Sequence, residues 1–140
     1  MLNTKQGEII GLFLNKKKEK NLTAKETIQE IKKQNGIVYV PHPFDKKRNK
    51  TVLQYEQIIN NKDDIQLIEC YNGRNIEREY GIKQDEIAKK IGKIKVVGSD
   101  AHTWFEVGRN TMEIRDFDTR EEFLNNIKSA KFNTKKCIKL

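Results

Sequence analysis

The 140-residue sequence predicts an α/β domain of parallel βα units, and three observations carry that expectation. Short apolar runs alternate with longer amphipathic stretches along the whole chain, the pattern of strands joined by crossover helices. Several of the runs are almost continuously apolar, as in strands covered on both faces. The residues with unusual chemistry (His42, Asn72 with Arg74, and Asp100 with His102) all follow such runs, where parallel sheets and (β/α) barrels place their ligands. No linker, internal repeat or low-complexity tract divides the chain, and its length suits one domain over residues 1–140.

The elements follow in order. "EIIGLFL" (8–14) reads as a strand buried on both faces. After a loop, Thr23 with Glu26 forms a capping box, "AKETIQEIKKQ" carries Ile28 and Ile31 on one helical face, and Asn35-Gly36 stops the helix. "IVYV" (37–40) is β-branched and aromatic, hence a strand, and the proline-flanked "PHPFD" ends it. "VLQYEQIINN" suits a helix and "IQLIECY" (65–71) a buried strand. Residues 76–91 set Ile82, Ile87, Ala88 and Ile91 on one helical side. "IKVVGSD" (94–100) is a strand running into a loop, and "TMEIRDF" (111–117) a shorter strand. Thr119 with Glu122 makes a second capping box, which opens the helix "TREEFLNNIKSA" (119–130).

Composition narrows the function classes. With 36% hydrophobic and 34% charged residues the chain suits a soluble protein with a modest core. No stretch approaches the ~18 apolar residues of a membrane span. The N-terminal apolar run is too short and too charged at its flanks for a secretory signal. Cys70 and Cys137 have neither metal-ligand spacing nor a disulfide framework, so the expected compartment is the cytoplasm, with Cys70 a buried strand thiol. The net charge of +8 concentrates in "NKKKEK" (15–20) and the closing "KKCIKL", read as solvated lysines with an anionic partner as the alternative. No nucleic-acid motif or aromatic interleaving accompanies them, which leaves nucleic acid as a partner supported by charge alone.

The strand ends carry the chemistry. Asp100 and His102 are hard and borderline metal ligands, and on an extended segment residues two apart face the same way. Spacing alone equally allows Asp100 as a helix N-cap and His102 as a first-turn residue. His42 lies between the only two prolines, Pro41 and Pro43, which stiffen its backbone as a preorganised ligand requires; a rigid turn with an incidental histidine is the alternative.

"VPHPFD", "IECYNGR" and "VVGSDAHTWFEVGR" resemble the later motifs of the PHP (polymerase and histidinol phosphatase) family of metal-dependent phosphoesterases, and "GEIIGLFL" fits the strand before them. The resemblance covers roughly residues 5–130, with "PHP" followed by "GSDAH" its most specific part. It implies a distorted (β/α)7 barrel with divalent metals (zinc, manganese or iron) at the strand C-termini, hydrolysing phosphate esters by metal-activated water. It also implies that His42, Asp100 and His102 are metal ligands, with Glu8 where many members carry a histidine. Arg48, Arg74 and Arg109 lie just beyond the three site segments and are candidate phosphate ligands, surface ion pairing being the alternative. Trp104 and Phe105 either wall the site or pack.

The family's opening strand with its His-x-His pair has no counterpart before "GEIIGLFL". The expected object is therefore the C-terminal half of the barrel, offering each metal only part of the three or more protein ligands a catalytic ion usually has. A second chain or self-association would complete the barrel around a phosphorylated small molecule or nucleotide. The competing expectations are a catalytically silent binding or scaffolding module and the product of a truncated or split gene.

Overall fold

The computed structural model describes residues 1–16, 21–75 and 81–135. Part of the 15–20 lysine cluster, the start of the expected 76–91 helix, and the closing segment with Cys137 lie outside the described residues. Seven strands and four α-helices run in the order β1 (Leu2–Thr4), β2 (Gly7–Leu12), α1 (Ala24–Lys33), β3 (Ile37–Val40), α2 (Tyr55–Asn60), β4 (Leu67–Asn72), α3 (Ile82–Lys90), β5 (Ile94–Gly98), β6 (Thr111–Glu113), α4 (Arg120–Ile127) and β7 (Lys131–Asn133) among the described residues. Both capping boxes form, at Thr23–Glu26 and Thr119–Glu122.

The mixed α/β architecture and its parallel strands are present, but not every pair is parallel. The main sheet has five strands in the order β1-β2-β3-β4-β5 and does not close into a barrel among the described residues. β3–β4 and β4–β5 are parallel, whereas β1–β2 and β2–β3 are antiparallel. The antiparallel step has a local cause. Leu22 O accepts from Lys5 N at 3.0 Å, and Gln6 Oε1 accepts from Ala24 N at 2.8 Å, so the chain has already returned to the β1–β2 turn before α1 begins. α1 then runs alongside β2, and β3 comes back. In that turn Gly7 has φ 124°, and a Cβ there would stand 2.5 Å from Leu53 Cα, so only glycine fits.

Side chains of the sheet alternate between two apolar layers, as a period of two requires. One face, with Ile9, Val38, Val40 and Ile68, packs on Ile28 and Ile31 of α1, Ile58 of α2, and Ile87 and Ala88 of α3. The other, with Ile37, Leu67 and Val96, packs on Ile127, Phe123 and Leu124 of α4 and on Met112 of β6. The second face is thus covered from within the chain.

Two element readings need correction. The 8–14 run is not a strand buried on both faces: β2 stops at Leu12, only Ile9 of it is buried, and Phe13 turns left-handed at φ 58°. It lies between β1 and β3, its residues other than Ile9 only half-buried. Ile82 is 57% exposed, because it opens α3 rather than lying within the packed face formed by Ile87 and Ala88.

Candidate functional site

The antiparallel pairing that departs from expectation is what brings Glu8 to the site. β2 pairs with β3 through Ile10↔Tyr39, and extending that register sets Glu8 beside the Pro41–His42 exit of β3. The start of β2 and the ends of β3, β4 and β5 therefore share one end of the sheet. His42 is 1% exposed, and its Nε2 lies 3.2 Å from Glu8 Oε2. That is ion-pair distance without hydrogen-bond direction: Glu8 Oε2 and both His42 ring nitrogens are buried with no hydrogen-bond partner. Each buried polar atom left so costs about 1–3 kcal/mol, which a fold retains when a ligand supplies the missing contact.

His42 (φ 31°), Phe44 (φ 63°) and Asp100 (φ 51°) all have left-handed backbones. Non-glycine residues hold such conformations at a cost of order 1 kcal/mol or more, and they cluster at functional sites. Gln84 of α3 ties the strained turn down, donating from Nε2 to Pro43 O at 2.6 Å.

A buried polar network joins the strand ends. Asn72 Nδ2 donates to Glu69 Oε1 at 2.7 Å and to Asp100 Oδ2 at 3.2 Å, while its Oδ1 accepts from Arg74 N at 3.0 Å. With two carboxylates on one side and an N–H on the other, the amide orientation is fixed. Glu69, 4% exposed, also accepts from Tyr39 Oη and from His42 N at 3.3 Å. Burial pushes its carboxyl above the usual carboxylate range, and the donors from Tyr39, Asn72 and His42 pull it back. Arg48 donates to Asp100 Oδ2, and its Nε is 3.6 Å from Asp45 Oδ2.

His102 stands apart, its side chain 54% exposed. Its Nδ1 is 2.7 Å from Asp100 O. A carbonyl only accepts, so Nδ1 carries the proton and Nε2 keeps a lone pair, the tautomer that a metal ligand needs. Asp100 Oδ1 is 3.8 Å from the same ring nitrogen. The two residues do meet, though by a left-handed turn at Asp100 and not by strand alternation. Neither caps a helix, because the short 3-10 turn Trp104–Glu106 begins at Thr103. Glu106 braces this loop: its Oε2 accepts from His102 N at 2.8 Å and Thr103 N at 3.0 Å, with Arg74 Nη1 at 3.5 Å. The His102 N–H above all holds the Glu106 carboxyl down to about 2.

Of the residues expected to bind phosphate, Arg48 is engaged by Asp100 and Asp45, Arg74 contacts Glu106, and Arg109 lines a narrow cleft with Gly73, Ser99 and Asn110. Trp104 is 86% exposed and meets Phe105 edge-to-face at 5.7 Å, so packing into the core is not its role. Cys70 is half-buried, and burial, then Asp85, pushes its thiol up to about 12, an inert strand cysteine. One open concavity is lined by Cys70, Tyr71, Ile82, Asp85, Lys89 and Phe132 and includes none of the donors above. The buried, unpartnered atoms of Glu8 and His42 lie at the strand ends and not in that open concavity.

The donor chemistry fits a divalent cation, imidazole with carboxylate at each of two places: Glu8–His42 and Asp100–His102. The set is partial, for among the described residues no three His, Cys, Asp or Glu side chains group closely enough to hold an ion by themselves. Glu69, Asp45 and Glu106 were missed in the sequence. Glu69 left a signal, a charged residue inside the apolar run "IQLIECY", and Glu106 left another, the capping-box spacing Thr103-x-x-Glu106; Asp45 left none.

Residues 83–132, from α3 into β7 and including Asp100 and His102, match the family model described as PHP-associated. An uncharacterized protein of Methanocaldococcus jannaschii, MJ0417, is 30% identical over 134 residues, 89% of this chain and 56% of that protein. A second from the same organism, MJ1587, is 54% identical over 41 residues, 29% of this chain and 24% of the relative. The crystal structure of a Bifidobacterium adolescentis protein described as a metal-dependent phosphoesterase superposes with a TM-score of 0.51 at 25% identity, over 62% of this chain and 30% of that one. The chain thus spans little more than half the length of the first relative and less of the others. Family model and solved fold both support a resemblance to the C-terminal portion of the PHP family.

Proposed function

We propose that the chain supplies one wall of a PHP-type, metal-dependent phosphoesterase site, with residues 1–140 acting as a single partial domain. The observation that carries this reading is the buried, unpartnered pair Glu8 Oε2 and His42 Nε2, 3.2 Å apart at the strand ends. Glu8 and His42 would hold one divalent ion, and Asp100 with Nε2 of His102 would bind at a second place. Zinc, manganese or iron bound there would polarise a phosphoryl oxygen and make hydroxide available near neutral pH. The chain's own residues set the rest. Asn72 fixes the Asp100 carboxylate, and Glu106 fixes the backbone of His102. Arg48, which pairs with Asp100, would be free to take the substrate phosphate once a cation neutralised that carboxylate, with Arg74 and Arg109 at the rim.

The remaining ligands come from a second wall, contributed by a partner chain or a second copy. β1 supports this, as the short outermost strand whose edge is unpaired among the described residues. The substrate class is a phosphate ester of a small molecule or nucleotide, in a cytoplasmic setting; no helix among the described residues is long and apolar enough to cross a membrane. One observation favours the second reading, a silent binding module: the guanidinium of Arg48 already gives Asp100 a cation. The test is hydrolysis of p-nitrophenyl phosphate with each metal in turn, alongside the oligomeric mass. Metal-dependent turnover abolished by Asp100→Asn supports the enzyme. A folded chain inactive with every metal in every oligomeric state supports the silent module.

A further inference from the structure

We propose that Glu69 is a positioning residue that sets the donor geometry of the site from beneath it, an inference that rests on the metal-site reading above. Its carboxylate touches the ends of three adjacent strands. Oε2 accepts from Tyr39 Oη on β3, and Oε1 accepts both from His42 N, just beyond β3, and from Asn72 Nδ2 on β4. On β5, a Cβ at Gly98 would fall 2.5 Å from Glu69 Oε2, so the sheet leaves out a side chain where the carboxylate sits. Asn72 then carries the contact to Asp100 Oδ2. One buried group therefore fixes the backbone that aims His42 and, through one amide, the carboxylate of Asp100.

The sheet is shaped around it. The β4–β5 register shifts between Glu69 and Tyr71, so Cys70 is an extra residue and β4 is bulged at the level of this carboxylate. Bulges re-aim side chains next to sites, and this one lets Asn72 reach back to Glu69 on its own strand. The role is accepting, not ligating: all three groups on the carboxylate are N–H or O–H donors. An amide can nearly reproduce it. Gln at this position keeps one oxygen for His42 N and Asn72 Nδ2, while the Tyr39 hydroxyl turns to accept from the new NH2.

The test uses Co2+ as the probe on the full chain, reading affinity by calorimetry and donor geometry by the visible absorption spectrum, with thermal unfolding as a control for folding. Glu69→Ala is expected to lower Co2+ affinity ~10–100-fold and change the spectrum, the scale on which supporting partners act, while Glu69→Gln stays within about threefold of the wild type. A folded Glu69→Ala protein with wild-type affinity and spectrum overturns the proposal, as does a Glu69→Gln protein as weak as Glu69→Ala, which puts the role in the charge. If Glu69→Ala does not fold, Asn72→Ala decides: a loss of tenfold or more supports the positioning chain, and unchanged binding overturns it. Wild-type protein that takes up no Co2+ removes the metal-site reading and this role with it, an outcome distinct from a mutant-specific loss.

Discussion

The two histidines of this chain belong to one candidate site and live in opposite circumstances. His42 is sealed under the sheet's end, its two ring nitrogens without hydrogen bonds and its neighbour Glu8 equally short of a partner. His102 is on an open loop, its side chain half-exposed and its Nδ1 satisfied by a carbonyl. The first half-site has been built at a cost to the folded state, and the second costs little because water satisfies it. Stability and metal binding should therefore respond differently to changes at the two places, and each prediction below tests that contrast.

The largest effect is expected at the ligands themselves. His42→Ala and His102→Ala should each lower affinity for Zn2+ or Mn2+ at least ~100-fold, the upper end of what removing a supporting partner costs. Their unfolding curves should separate them. His102→Ala changes stability by less than about 0.5 kcal/mol, as exposed substitutions do. At His42 the cavity left behind and the relief of unpaired nitrogens act in opposite directions, each of about 1–3 kcal/mol. A large stability loss at His102 in denaturant titrations would contradict the contrast.

Glu8→Gln sharpens it. The new amide can donate to His42 Nε2, so the metal-free protein should gain about 1 kcal/mol, a rise of roughly 3 °C in Tm. Metal affinity should fall in the same variant. A gain in stability bought with a loss of binding is the signature of a site held ready for a ligand; a loss of both would place Glu8 in an ordinary structural ion pair.

The loop half responds to acid. The Glu106 carboxyl is held near 2, against 4.5 for a free glutamate, chiefly by the His102 N–H. A depressed folded-state pKa contributes stability that is present above about 4.5 and lost as pH falls through about 2. Amide exchange at His102 and Thr103 should accelerate over that window, after correction for the intrinsic pH dependence, and Glu106→Ala should produce the same acceleration at neutral pH. His42 N, held by Glu69, should stay protected in the Glu106→Ala protein. The smallest effect belongs to Trp104→Ala: at 86% exposure it should alter stability by less than about 0.5 kcal/mol.

Much of this was legible in the sequence, for reasons that also mark where legibility ended. The capping boxes at Thr23 and Thr119 and the strands at 37–40 and 94–98 rest on local chemistry, and local chemistry is what a sequence displays. The direction of β2 depends on where the chain returns, set by contacts of Lys5 and Gln6 with Leu22 and Ala24, which no period reveals. β1 went unseen because three residues with one apolar side chain make no pattern. In the site, His42 and Asp100 stood out by composition and position. Glu69 showed only as a charge inside an apolar run and Glu106 only as the end of Thr103-x-x-Glu106; the partners each takes depend on the fold, for Glu106 on a left-handed turn at Asp100. The strand-end clustering of reactive residues was readable; the network that connects them was not.

The account's central claim is that the strand ends form part of a metal site. Its most direct test is the metal content of the chain after equilibrium dialysis against Zn2+ and Mn2+, compared with a His42→Ala/His102→Ala double variant of equal thermal stability. The account predicts stoichiometric metal in the wild-type chain and none in the double variant. A folded wild-type chain without metal, or one whose metal survives the loss of both histidines, would contradict it.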